Sequence, residues 1–391
     1  MRRRRIAFFM PALGCARRCV YCDQNVITRD AVGHSAAVTP GRVRRGVSEA
    51  GEPVELCFFG GSFARTDISL MTEYLDAVKS APEGSAVTFS SYPGDFDGPR
   101  GLEITDILKK YPIGTIELGV PSLDPKVLSA CRRDDDADMA VRAAERLRDA
   151  GFHIGVQMMT CLPRQTGESV LRDVRTLAGI MPPRGGWDFR LYPCLVIKGT
   201  ELEAMFKRGE YVPPELEEAV FTAGAVLLEA ETRGFNVIRV GLTESESLRR
   251  SIAAGPYHPA FGELAMSEKQ ALSLSRASPR GPWSISRRDL SKLTGHGGRG
   301  IRRLSELTGM TRDDVRKQIH LEKNATLHYN CSEEGSDGNE REDFSDNCGP
   351  RAVGVPCAAF GRGDNRGDGA QGVEPGGPHR RDGASAAHDR A

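Results

Sequence analysis

Seven short runs of apolar, β-branched or aromatic residues recur along the first 240 residues, at 6–10, 54–59, 87–90, 115–120, 154–159, 189–192 and 237–240. The stretches between them carry helical periodicity; 136–150, for example, ends at Gly151, as a helix C-terminus does. Runs that are continuous rather than alternating, each followed by a helix, imply parallel strands buried on both faces. The expected architecture is an α/β barrel or a partial one, with its chemistry at the C-terminal ends of the strands. Cys15, Gly60, Ser91, Glu117 and Gln157 all fall at or near such ends.

The segment Cys15-Ala-Arg-Arg-Cys19-Val-Tyr-Cys22 places three thiols within eight residues. Three sulfurs are one short of the four that a closed iron–sulfur or structural zinc site takes, which leaves one position for a bound molecule. The Cys19–Cys22 spacing also suits a zinc knuckle completed by a distant thiol such as Cys57. A chain of 391 residues with ten cysteines needs no disulfide staples, and clustered thiols ahead of a βα pattern fit metal ligation in a reducing cytoplasm. Lys+Arg and Asp+Glu both total 53, so net charge selects no class of partner. The arginine-rich start followed by residues 6–10 resembles a signal segment. Pro11 breaks it, however, and cleavage would discard the first of the spaced cysteines. No run approaches the ~20 apolar residues of a membrane span, so the expectation is a cytoplasmic protein without a membrane partner.

The cysteine segment resembles the CxxxCxxC signature of the radical S-adenosylmethionine enzymes. Phe58-Phe-Gly-Gly-Ser-Phe63 resembles their Gly-Gly loop. Glu117-Leu-Gly-Val-Pro-Ser122 and Gln157-Met-Met-Thr-Cys-Leu-Pro-Arg-Gln-Thr166 look like the ELGVQS and QMMxGLPxQT segments of one branch. That branch holds the catalytic radical domain of the elongator acetyltransferase subunit and oxygen-independent coproporphyrinogen III oxidase. Arg190-Leu-Tyr-Pro-Cys-Leu-Val-Ile-Lys-Gly-Thr-Glu-Leu202 is closer to the elongator side, and Gly255-Pro-Tyr-His-Pro-Ala-Phe261 resembles a run in small bacterial members. The resemblance spans roughly residues 6–265 and implies a partial (β/α)6-type barrel. It also implies a four-iron–four-sulfur cluster on Cys15, Cys19 and Cys22, with S-adenosylmethionine on the fourth iron. Gly60, Gly61 and Ser62 would meet the methionine amino group, with Ser91, Arg133 and Gln157 along the cosubstrate and Tyr21 near adenine. Three departures stand out: Pro121 replaces a Gln, Arg132 to Asp136 lack the Gly and His of NRGHT, and Cys161 replaces a Gly.

Residues 276–330 hold 12 Lys/Arg against 5 Asp/Glu, a net of +7. Within them Gly295-His296-Gly297-Gly298 resembles the GxxG loop of a KH module, a turn that clamps nucleic-acid backbone, with Arg299, Arg302 and Arg303 supplying charge. Beyond residue 331 come 12 glycines and two aromatics in 61 residues, a composition expected to stay disordered. Three regions are expected: a barrel over 1–265, a small basic extension over 266–330 and a tail over 331–391. The implied function is reductive cleavage of S-adenosylmethionine and hydrogen abstraction from a substrate, RNA and particularly transfer RNA being favoured. A flavodoxin or ferredoxin would be the electron donor. The alternatives are a tetrapyrrole-type small-molecule oxidase and a non-catalytic RNA- or metal-binding derivative.

Overall fold

Each of the seven apolar runs becomes a strand. A computed structural model describes residues 3–10, 13–15, 19–23, 38–133, 137–182 and 185–322. The strands are β1 (Arg4–Phe9), β2 (Val54–Phe59), β3 (Ala86–Ser91), β4 (Ile113–Gly119), β5 (Ile154–Thr160), β6 (Asp188–Pro193), the two-residue β7 (Val196–Ile197) and β8 (Asn236–Val240). One seven-stranded sheet runs β1-β2-β3-β4-β5-β6-β8, and every neighbouring pair is parallel. This is the open sheet of a partial barrel.

The strands are buried on both faces as expected, but the register corrects the expectation that their apolar residues run continuously. Phe8, Phe58, Phe89, Ile116 and Ile154 lie in successive register across one face. Leu118, Val156 and Phe189 continue that face, and all eight are buried. The rings of Phe8, Phe58, Phe63 and Phe89 pack in sequence with centroids 5.6, 4.8 and 4.9 Å apart. The opposite face carries Glu55, Cys57, Thr88, Ser90, Glu117, Gln157, Arg190 and Tyr192. The strands therefore do alternate. Ala7, Phe9, Phe59, Gly155 and Met159 occupy the same polar-facing rows and mask the period in the sequence.

Helices cover the apolar face, and their starts obey local chemistry. Asp67 caps Ile68–Asp76 through the amides of Ser69 and Leu70, and Thr166 and Ser169 form a capping box at Gly167–Gly179. Gly224 lets helices Leu216–Thr232 and Phe261–Ala277 approach closely: a Cβ there would sit 2.4 Å from Glu268 Cγ.

Helix Phe261–Ala277 also moves the expected boundary at residue 265. Its first turns place Phe261, Leu264 and Ala265 in the barrel core. Its later turns place Ala271 and Leu274 in a second core with Trp283, Ile285, Leu293, Ile301, Leu304 and Val315. One helix thus serves both cores, and the basic extension is packed on the barrel through it. Strands Trp283–Ser286 and Ile319–Glu322 pair in parallel within this extension. No helix among the described residues is long and apolar enough to cross a membrane. The tail from residue 331 lies outside the described residues.

Candidate cluster and cosubstrate site

The cysteine loop and the Gly-Gly turn are in direct backbone contact. The amide of Met10 donates to Phe59 O at 2.7 Å, and the amide of Ser62 donates to Leu13 O at 2.7 Å. A Cβ at Gly61 would lie 2.2 Å from Leu13 O, and one at Gly14, which has φ +73°, would lie 2.2 Å from Ser62 O. Only glycines let the two loops meet this closely. Gly60, at φ +98°, starts the turn.

Beneath that turn, Ser62 and Ser91 are buried and their hydroxyls are committed to protein partners. Ser62 Oγ donates to Asp95 Oδ2 and accepts from the Tyr92 amide at 2.8 Å; Ser91 Oγ accepts from the Ala64 amide at 2.9 Å. Asp95 escaped the sequence reading, although the Pro93-Gly94 turn after β3 marks its surroundings. Burial raises its carboxyl, opposed by Ser62 and Arg65, whose Nη1 lies 3.3 Å away.

Cys15 is exposed, while Cys19 and Cys22 are half-buried. The Cys22 amide donates to Cys19 O at 3.1 Å in a tight turn. Burial, then the neighbouring sulfurs Cys19 and Cys15, push the Cys22 thiol up to about 12. Burial and Cys19 likewise raise Cys15, against the positive charge of Arg133. Arg133 donates to Gly119 O at 3.1 Å and stacks over Tyr92 at 5.0 Å, beside a small cavity that Gly119, Pro121 and Met139 help line. Tyr21 packs against Val20, Cys131 and Leu162, and burial raises its phenol. Gln157 stands in register with Gly119 and Arg190, its amide Nε2 3.4 Å from Met158 O.

Farther down the polar face, Arg190 Nη2 donates to Glu117 Oε1, and this buried pair lies beside Phe59. Burial raises the Glu117 carboxyl and Arg190 opposes the rise. Arg5 Nε and Thr88 Oγ1 bind opposite oxygens of Glu55 at 2.7 and 2.6 Å. Cys57 sits within this network, its thiol raised to about 12 by burial and then by Glu55. Its charged neighbours are Glu55, Arg5, Glu117 and Arg190.

The basic extension departs from the expected trio of phosphate-facing arginines. Arg299 donates to Glu217 Oε1 at 2.8 Å, Arg303 donates to Glu268 Oε1 at 2.8 Å, and both lie over Phe221. Glu268 is fully buried, so these two cations fasten the extension to the barrel helices. Arg302 is exposed, with Nη2 3.3 Å from Gly297 O. Gly295, Gly297 and Gly298 all take positive φ. A Cβ at Gly295 would strike Ser267 Oγ, whereas one at Gly297 or Gly298 would meet nothing within 4 Å. The outer side of the turn, with His296 between the glycines, is open.

Residues 10–177 match the radical SAM superfamily, and residues 187–271 match the radical SAM C-terminal domain. The chain belongs to the radical S-adenosylmethionine superfamily. The cofactors of these enzymes are a four-iron–four-sulfur cluster and S-adenosylmethionine. Similar proteins include two called tRNA uridine(34) acetyltransferase. The one from Methanocaldococcus infernus is 34% identical over 27% of this chain and 20% of its own length. The one from Methanocaldococcus jannaschii is 28% identical over 43% of this chain and 34% of its own length. The chain thus spans a fifth to a third of these relatives. Among solved structures, an N-terminally truncated Elp3 of M. infernus superposes with a TM-score of 0.46 at 23% identity, over 58% of this chain and 60% of that one.

The donor set suits a radical SAM cluster. Soft thiolates are the ligands of iron–sulfur groups, and three of them lie on one loop beside a fixed guanidinium that offsets thiolate charge. Among the described residues no three His, Cys, Asp or Glu side chains are already drawn to metal-ligand spacing.

Proposed function

We propose that this radical SAM enzyme acts on RNA, with transfer RNA as the substrate class, and that Cys15, Cys19 and Cys22 hold its cluster. The observation that carries the cluster assignment is the Ser62–Leu13 bond, which seats the Gly-Gly turn directly on the cysteine loop. When bound and reduced, the cluster supplies an electron that cleaves S-adenosylmethionine to methionine and a radical able to abstract hydrogen. Backbone oxygens of Gly60, Gly61 and Ser62 receive the methionine amino group. The buried Ser62 and Ser91 hydroxyls brace that turn from below. Arg133, held on the carbonyl at the end of β4, and Gln157 of β5 face the ligand, and Tyr21 lies on the adenine side. A flavodoxin or ferredoxin supplies the electron.

The RNA reading is supported by the relatives' name, by the +7 extension and by the open turn at Gly297–Gly298 beside the exposed Arg302. Acetyl transfer forms no part of the proposal. All seven described cysteines are free thiols, which supports a cytoplasmic setting.

Anaerobic reconstitution tests both halves. Iron and sulfide should bind, dithionite should release 5′-deoxyadenosine, and replacing any of the three cysteines by Ala should remove most of the iron. A colourless protein holding one zinc defeats the cluster assignment. Transfer RNA should bind with a log–log salt slope of roughly −0.7 to −0.9 per phosphate contacted. Loss of that salt-sensitive binding while S-adenosylmethionine cleavage persists would direct attention to a small-molecule substrate.

A further inference from the structure

A second cavity, small and partly open to solvent, lies beyond the C-terminal ends of β6 and β8. Its walls include Pro193, Leu195 and Leu242, and its polar groups are Glu244, Tyr257 and His258. The Tyr257 hydroxyl is buried with no hydrogen-bond partner among the described residues. A buried phenol without a partner is costly, so such groups commonly face a ligand or water. His258 Nδ1 accepts from the Ala260 amide at 3.0 Å, which places the imidazole proton on Nε2 when the ring is neutral. Glu244 pairs with Arg249 through Oε1 alone. The cavity therefore offers apolar walls, a hydroxyl, an N–H donor and a carboxylate oxygen.

The cavity also adjoins the open glycine turn. The ring of His258 meets the ring of His296 edge-on, with centroids 5.3 Å apart. His296 lies in the turn whose Gly297 and Gly298 face open space.

We propose that this cavity binds a single nucleobase, one that presents an N–H donor edge, such as guanine. The Glu244 carboxylate accepts from the donor edge, Tyr257 Oη and His258 Nε2 meet the remaining polar atoms, and Pro193, Leu195 and Leu242 pack on the ring. Proteins that act on RNA splay bases out of the stack into such pockets and read their edges by hydrogen bonds. The assignment of this base to an RNA strand rests on the RNA reading above; the nucleobase pocket itself does not.

The test uses the full reconstituted chain and its Tyr257→Phe and Glu244→Gln variants, both close in shape to the native residues. Guanosine monophosphate is the probe, followed by saturation-transfer NMR, with uridine monophosphate for comparison. Wild type should bind the guanine nucleotide, and each variant should weaken it at least fivefold. Both variants should also weaken transfer RNA binding while leaving its salt slope unchanged, because the slope reports phosphates alone. Failure of guanosine monophosphate to bind, or binding equal in all three proteins, overturns the pocket. Nucleotide binding that depends on Tyr257 and Glu244, without any binding of transfer RNA, upholds the pocket and overturns the RNA reading.

Discussion

Ser62 N–H donates to Leu13 O at 2.7 Å, and through that bond the Gly-Gly turn and the cysteine loop behave as one unit. Gly61 sits at the heart of this contact, since its missing Cβ would fall 2.2 Å from the same carbonyl oxygen. Gly61→Ala must push the cysteine loop away, at a cost of about 1–3 kcal/mol for an overpacked site. Iron content after reconstitution should fall by more than half while the helical circular dichroism stays near native. Full iron loading of that variant would show that the loop contact is dispensable.

The Glu117–Arg190 pair yields a stability prediction with a definite pH dependence. Removing one partner leaves a buried charge alone, which costs ~3–5 kcal/mol. Glu117→Gln should lower stability by about that amount in urea unfolding, and adding Arg190→Met should recover most of it. Burial holds the native Glu117 carboxyl above its ordinary value, with Arg190 opposing. Such a group releases its proton more easily in the unfolded chain. Its contribution is full below the ordinary value and is lost as pH rises through the raised one. Wild type should therefore lose ground to the double variant as pH rises above the ordinary carboxylate range. A gap that is flat across this range would mean that the carboxyl is not raised.

The strands, their order of appearance and the cysteine loop were legible because each is a local pattern. Residues 54–59 were expected as a strand and form β2 with those same ends. The alternation of the sheet was hidden because small or apolar residues such as Ala7, Gly155 and Met159 occupy polar-facing rows, and only the register separates the faces. The roles of Arg299 and Arg303 were misread for a related reason. A cation's partner depends on which helix packs against it, and Glu217 and Glu268 lie 82 and 35 positions away. Nothing local announces such a partner.

That same geometry separates the arginines experimentally. Arg302→Ala should weaken RNA binding and reduce the magnitude of the salt slope by about one contact, ~0.7–0.9, without shifting the melting temperature. Arg303→Ala should instead destabilise the chain by about 3 kcal/mol, because it strips the buried Glu268 of its nearest cation. Thermal melts beside salt-titrated binding assays distinguish the two. Equal effects of both substitutions on binding, with no effect on melting, would contradict the inward placement of Arg303.

Cys161 marks a backbone compromise that substitution can expose. Its φ is +65°, a conformation that costs an L-residue about 1 kcal/mol relative to glycine. The position is nevertheless well held: Tyr211 Oη donates to Cys161 O at 2.6 Å, and the side chain packs against both the barrel core and the smaller core beneath the cysteine loop. Cys161→Gly trades the conformational penalty against about 1 kcal/mol of lost burial, so its stability should match wild type closely. Cys161→Ala keeps the penalty and loses the sulfur, and should fall about 1 kcal/mol below wild type. Cys161→Val adds a β-branched side chain at positive φ and should be the least stable of the series, by ~2 kcal/mol or more. Urea unfolding of the four proteins gives the order directly, and a valine variant as stable as the glycine one would mean that the turn does not hold this residue in the left-handed region.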